Sequence, residues 1–201
     1  MMYKTLVFDI DDTLIIEKYS VIHGLKAVMA AENINYTDDT FDQWGKIELD
    51  FWNNYRAGNI DVPELYKQGA VDEFGRVKSE WIRAQRFREL LSEPITLERA
   101  YQLLDIVELA MKERVVPFDG MVDLVKKLSS CYTLLVATDG VHEIADHKLQ
   151  SIEADGYFSG VFSPRETGHI KPNPAFFDVI FDKFGRNLDD YLIIGNSLSA
   201  D

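Results

Sequence analysis

The chain has one cysteine, Cys131, among 201 residues. No internal disulfide is possible, and the expected setting is a reducing one, the cytoplasm. Positive charge is also scarce: 21 Lys and Arg stand against 34 Asp and Glu, a net charge of −13. That balance argues against a nucleic acid duplex as partner, because its phosphates call for a basic surface. A small phosphorylated partner is still compatible, since a metal and one or two local cations can govern a pocket against the overall charge. Long apolar runs are missing as well. The opening run is too short for a signal peptide, and none reaches the roughly 20 residues that span a bilayer, so no membrane partner is expected. There is no internal repeat and no low-complexity segment. What remains is 46% hydrophobic and 27% charged, the composition of a soluble globular protein long enough for one domain or a domain with a large insertion.

The stretch Phe8-Asp9-Ile10-Asp11-Asp12-Thr13-Leu14 organises the rest. Residues 3–8 read as a short strand whose continuous apolar order suits burial on both faces of a parallel sheet. Asp9 and Asp11 follow at its end, where open α/β sheets place their ligand sites. One carboxylate can act as nucleophile or hold a cation while the other handles protons. Two such close negative groups repel unless a cation or a raised pKa relieves them, so a divalent metal is expected. Taken alone, the same residues are equally well a polar turn that caps a helix.

Three later segments repeat the pattern. Residues 132–137 read as a buried strand ending in Thr138-Asp139-Gly140, where a hydroxyl and free backbone N–H groups make either a phosphate cradle or an ordinary helix cap. Ile170-Lys171-Pro172-Asn173-Pro174 fixes the backbone around a lysine that can neutralise two carboxylates and a phosphoryl group, although most loop lysines are merely solvated. Residues 191–194 form a fourth apolar run, followed by the polar cluster Gly195-Asn196-Ser197-Leu198-Ser199-Ala200-Asp201.

Between the first and second segments, residues 20–114 read almost entirely as helix. Val21, Ile22, Leu25, Val28 and Met29 recur at helical spacing, Thr37 or Asp38 can cap a second helix, and Pro63 sits near the start of a third. The second helix is expected to stop at Gly58-Asn59 and the third near Phe74-Gly75. Four or five helices without a strand describe an insert outside the sheet. Its aromatics, Trp44, Trp52, Trp81, Phe87 and Tyr101, are expected to fill its core rather than hold a cofactor. His23, Lys46, Arg56, Arg83 and Arg86 are substrate contacts by residue type and solvated helix residues by base expectation.

Taken in order, the four segments resemble the motifs of the haloacid dehalogenase superfamily of aspartate-nucleophile phosphatases. The resemblance covers almost the whole chain. Within the superfamily the chain is similar to the pyrimidine 5′-nucleotidase-like branch, on its Asp9-Ile10-Asp11-Asp12-Thr13-Leu14 start, the Trp52-Asn53-Asn54-Tyr55-Arg56-Ala57-Gly58 helix end and the Arg86-Phe87 pair. It implies an α/β, Rossmann-like three-layer core with a parallel sheet, from residues 1–15 with 116–201, interrupted by an α-helical cap of type I over residues 16–115. It implies Asp9 as nucleophile, Asp11 as acid and base, Thr138, Asp139, Gly140 and Lys171 on the phosphoryl group, and Mg²⁺ held by Asp9, Asp11 through its backbone carbonyl, Asn196 and Asp201. The implied activity is phosphomonoester hydrolysis on a small phosphorylated metabolite such as a nucleoside 5′-monophosphate. A phosphosugar phosphatase or mutase, or a catalytically impaired member that binds a phosphorylated ligand or a protein, are the alternatives. An acid at Asp11 rather than a bulky residue favours phosphoryl chemistry over dehalogenation, because an alkoxide leaving group needs a proton.

Two features depart from the family pattern. Asn196 stands where an acid usually touches the metal, and an amide brings no charge. The chain also ends at Asp201, where the resemblance leads one to expect a further helix and strand. The expectation is therefore an Asp201 on a frayed end and an unpaired strand edge at residues 191–194.

Overall fold

The computed structural model describes residues 3–57, 59–60, 62–71, 78–91, 94–197 and 201. In chain order they form β1 (Thr5–Phe8), α1 (Glu17–Ala31), α2 (Asp38–Arg56), α3 (Val62–Lys67), α4 (Ser79–Leu90), α5 (Leu97–Lys112), α6 (Met121–Ser129), β2 (Thr133–Ala137), α7 (His142–Ser151), β3 (Gly160–Phe162), α8 (Pro164–Thr167), α9 (Pro174–Phe184) and β4 (Tyr191–Ile194). Gly58, Phe74, Gly75, Leu198, Ser199 and Ala200, and the side chains of Trp52, Tyr55 and Arg56, lie outside the described residues. Among the described residues, no helix is long and apolar enough to cross a membrane.

The chain divides into two compact units, residues 1–20 with 112–201 and residues 21–111. The first holds a parallel sheet of order β3-β2-β1-β4. β1 is central because every one of its four residues is buried, so it needs cover on both faces and a partner on each edge. Side chains alternate across a strand. Leu6 and Phe8 therefore pack with Val125 of α6 and with Ala145 and Leu149 of α7, whereas Val7 packs with Phe176, Phe177 and Ile180 of α9. Helices on both faces of a parallel sheet make the three-layer, Rossmann-like core that the sequence leads one to expect. β3 is an addition to that expectation: three residues are too few to set up a period. Among the described residues β4 is the last strand on its side of the sheet, with β1 as its partner.

The second unit is helical. Leu25, Val28 and Met29 of α1, Trp44 of α2, Ala84 and Phe87 of α4 and Leu103, Leu104 and Val107 of α5 form one buried cluster. Trp81 joins a smaller one with Leu65, Ala70 and Ile82. Trp44 and Phe87 meet with ring centroids 4.7 Å apart. The buried Arg86 is part of this core: its guanidinium lies 3.7 Å from the centroid of the Trp44 ring, donates to the Trp44 carbonyl at 2.8 Å and pairs with Glu48 at 2.7 Å. Arg83 pairs with Glu108 at 2.8 Å. Both arginines have intramolecular partners and differ in that from solvated helix residues.

Close approach of α1 to α5 depends on Gly24. A Cβ there would meet Val107 Cγ2 at 2.5 Å, Met111 Cγ at 2.9 Å and the Val107 carbonyl oxygen at 3.0 Å. In an open helix Gly→Ala is stabilising by roughly 1 kcal/mol. Here the backbone oxygen cannot step aside, so Gly24→Ala is expected to lower the unfolding free energy by about 1–3 kcal/mol, the cost of overpacking. Urea unfolding checks this; a variant as stable as the unaltered chain would show that the two helices separate freely.

Candidate active site

The parallel register sets the site. Phe8 lies opposite Val136 of β2 and Ile194 of β4, so the residues that follow each strand emerge along one edge of the sheet. Asp9 keeps its backbone in the ladder, donating N–H to the Ile194 carbonyl at 2.9 Å. The chain then turns sharply. The Ile10 carbonyl accepts N–H groups from Thr13, Leu14 and Ile15 at 3.2, 2.8 and 3.2 Å, and Asp12 sits in the left-handed region at φ 55°. Asp12 Oδ1 accepts the Glu17 N–H at 3.1 Å and so caps α1. The polar-turn reading is thus right for Asp12, and its capping leaves Asp9 and Asp11 to other partners.

Asp9 Oδ2 accepts the Thr13 hydroxyl at 3.4 Å, and the charged partners of the two acids are two lysines. Lys171 Nζ donates to Asp9 Oδ1 at 2.8 Å and to Asp201 Oδ1. Its side chain is 4% exposed and that of Asp201 8%. The backbone N–H of Lys171 donates to Asp139 Oδ1 at 2.8 Å, which ties the lysine loop to the end of β2. The Lys171–Pro172 peptide is cis, and Asn173 with Pro174 opens α9, the Asn173 side chain accepting from the Ala175 N–H at 3.0 Å.

The second lysine, Lys148 of α7, was not among the sequence candidates. Its Nζ pairs with Asp11 Oδ1, and its side chain is 9% exposed against 28% for Asp11. The signal was present in the helical period: Ala145, Leu149 and Ile152 are buried core residues, and Lys148 falls in the same stripe.

Burial pushes the Asp9 carboxyl above its ordinary range; Lys171 pulls it down, and Asp201 and Asp11 push it up again. For Lys171 burial alone would lower the pKa, yet the hydrogen bonds to Asp201 and Asp9 outweigh it and hold the ammonium above its ordinary value.

Thr138 is buried at the end of β2. Its N–H donates to the Phe162 carbonyl at 2.9 Å. Its Oγ1 accepts the Gly140 N–H at 3.0 Å, so that N–H, expected to be free, is engaged inside the loop. Asn196 is exposed on the bend after β4; among the described residues no hydrogen bond ties its side chain to Asp9, Asp201 or Lys171. Asp201, expected on a frayed end, is held instead. Besides Lys171 it accepts the Ser197 N–H at 3.0 Å, returns its own N–H to the Ser197 carbonyl at 2.8 Å, and lies where a Cβ of Gly195 would stand.

The pattern of the haloacid dehalogenase-like hydrolases matches residues 3–201. The chain belongs to that family. It is 26% identical to the HAD-hydrolase YfnB of Bacillus subtilis (strain 168), over 99% of this chain and 78% of that protein. It is 24% identical to the pyrimidine 5′-nucleotidase YjjG of Escherichia coli (strain K12), over 100% of this chain and 80% of that one. A crystal structure of Bacillus subtilis YfnB bound to magnesium superposes with a TM-score of 0.80 at 24% identity, covering 100% of this chain and 83% of that one.

The family implies a metal, and the donor chemistry here fits Mg²⁺. Four carboxylates, Asp9, Asp11, Asp139 and Asp201, meet two ammonium groups, Lys148 and Lys171, which leaves two negative charges in excess. Among the described residues no three His, Cys, Asp or Glu side chains form a ready ligand group. Mg²⁺ does not require one: it takes one or two carboxylates and fills its octahedron with other hard oxygens, including those of a phosphate.

Lys171→Met would leave Asp9 and Asp201 facing each other without a cation. Removing one partner of a buried ion pair costs about 3–5 kcal/mol, and a fall of that size in unfolding free energy is expected. Urea unfolding in the absence of divalent cations measures it; a loss well below 1 kcal/mol would mean that the pair is solvated.

Proposed function

We propose that this chain is a phosphomonoester hydrolase that works through an aspartyl-phosphate, on a small phosphorylated metabolite of the nucleoside 5′-monophosphate class. The observation that carries the reading is the Lys171 ammonium held between Asp9 and Asp201, with Asp11 two residues along on a pinned turn. Such an arrangement presents one carboxylate as nucleophile and a second for proton transfer, beside a fixed positive charge. The substrate class draws support from the pyrimidine 5′-nucleotidases YjjG and PynA, 24% and 25% identical to this chain.

An Asp9 oxygen attacks phosphorus in line as the bond to the leaving oxygen breaks. The Asp11 carboxyl gives that oxygen its proton. Water then attacks the same phosphorus, loses a proton to Asp11, and releases inorganic phosphate and the Asp9 carboxylate. Lys171 offsets charge on the transferred group, and the Thr138 hydroxyl donates its proton to a phosphoryl oxygen while its oxygen keeps accepting from the Gly140 N–H. Asp9, Asp201, the Asp11 carbonyl and Asn196 would hold Mg²⁺, which when bound would supply further neutralisation of phosphoryl charge. Choice of the leaving group is assigned to the helical unit as part of the same proposal.

Asn196 favours a second reading, a member that binds phosphorylated ligands without turning them over. Phosphate release from nucleoside monophosphates and sugar phosphates, with Mg²⁺ and with chelator, separates the two. The hydrolase reading expects Mg²⁺-dependent turnover that Asp9→Asn lowers by at least about a thousandfold, as expected for loss of a covalent nucleophile. Turnover confined to Asn196→Asp would assign the unaltered chain to the binding class. Undiminished turnover in Asp9→Asn would sink the aspartyl-phosphate.

A further inference from the structure

We propose that Lys148 is a positioning residue that sets the Asp11 carboxyl group for proton transfer. The inference rests on the phosphohydrolase reading above and deepens it.

The main chain at Asp11 is already fixed. The Ile10 carbonyl gathers three N–H groups just beyond it, and Asp11 and Ile15 form an isolated bridge that continues from Ile15 to Pro117. What this turn does not fix is the rotation of the carboxyl group, a torsion with broad and shallow preferences. A proton passed to a leaving oxygen needs one carboxyl oxygen at a defined place, within hydrogen-bond reach. Lys148 Nζ engages Oδ1, which fixes the plane of the group and leaves Oδ2 as the oxygen that exchanges the proton.

The exposures of the two partners say which one holds the other. The Lys148 side chain is 9% exposed and that of Asp11 28%. α7 carries Ala145 and Leu149 into the core that also contains Phe8 and Ile10, so the lysine stem is fixed by packing and the carboxyl is the group presented outward. An ammonium placed in an apolar stripe is costly unless a partner meets it. The cost is accepted at a position on α7 that reaches the second carboxylate of the motif. Lys171 is not available for this task, being shared by Asp9 and Asp201.

In the chemistry this serves, the Asp9 oxygen–phosphorus bond forms while the phosphorus–leaving-oxygen bond breaks, and the leaving oxygen takes the proton from Asp11 Oδ2. The water that later attacks phosphorus returns a proton to the same oxygen as the Asp9 oxygen–phosphorus bond breaks. Lys148 touches neither substrate nor phosphorus and keeps its own protons throughout.

The test is a double-variant cycle on an alkyl phosphomonoester, for example a nucleoside monophosphate, with folded fraction followed by circular dichroism. Lys148→Met is expected to lower kcat by about tenfold to a hundredfold, less than the roughly hundredfold to ten-thousandfold that outright loss of acid–base catalysis costs, with KM held within about twofold. Lys148→Arg should recover part of the loss. In an Asp11→Asn background, Lys148→Met should cost nothing further, because there is no longer a proton to place. An unchanged kcat, a loss that multiplies with that of Asp11→Asn, or a loss matched by a fall in folded fraction would overturn the proposal. Failure of the unaltered chain to release phosphate from any monoester would instead overturn the hydrolase reading and the proposal with it, a result distinct from an active chain indifferent to Lys148.

Discussion

Concentration of negative charge at the edge of a four-stranded sheet is the constraint on which the rest of this structure depends. Parallel strands in register deliver their following residues to one edge, and here those residues are Asp9, Asp11, Asp139 and, from beyond β4, Asp201. Like charges brought this close out of water repel strongly. The fold meets the repulsion with two lysines from different elements, Lys171 before α9 and Lys148 within α7, each nearly buried. The helices that cover the sheet therefore have an electrostatic role as well as an apolar one. α7 packs Leu149 against β1 and β2, and from the next residue over sends a charge to the strand end.

Much of this was legible in the sequence because it depends on order along the chain. A buried strand followed by two alternate acids, a second strand followed by Thr138, a lysine ahead of two prolines and a fourth apolar run are local patterns, and each falls at the strand end or loop that its pattern suggests. The helical insert was legible for the same reason, through the spacing of Leu25, Val28, Met29 and their counterparts in α5. What stayed hidden depends on contact between distant segments. Lys148 is 137 residues from Asp11, and nothing next to it in the sequence marks it as other than one more solvated helix lysine. The clue was that it shares a stripe with Ala145, Leu149 and Ile152. β3 was hidden for a different reason, its three residues being recruited by the edge of β2 rather than by any pattern of their own.

The loop after β2 departs from expectation in one detail. Residues 138–140 suit either a phosphate cradle or an ordinary cap, and the Gly140 N–H donates to Thr138 Oγ1 at 3.0 Å, which leaves the hydroxyl's own proton to give. A polar group on the way into a protein rarely waits unpaired. A hydroxyl accepts and donates at once, so an incoming phosphoryl oxygen can take the Thr138 O–H without displacing that internal bond, which holds the hydroxyl oxygen in place. The Lys171 ammonium is itself already paired with Asp9 and Asp201, so its attraction for a dianion is set against those two carboxylates.

Asn196 bears on the same balance. A carboxylate at that position would add a fifth negative charge to an edge that two ammonium groups already leave two charges short. The amide brings a neutral oxygen, which reduces repulsion among the carboxylates and also the pull on a cation. Asp201 then becomes the one charged side chain that the segment after β4 contributes. Its placement is correspondingly well determined: Lys171 and the Ser197 N–H hold its oxygens, and Gly195, by lacking a Cβ, leaves the space in which its carboxylate lies. An alanine at Gly195 would place a methyl group on that carboxylate and press it away from Lys171. The glycine after β4 is thus required less for its own backbone freedom than for the position of an acid six residues later.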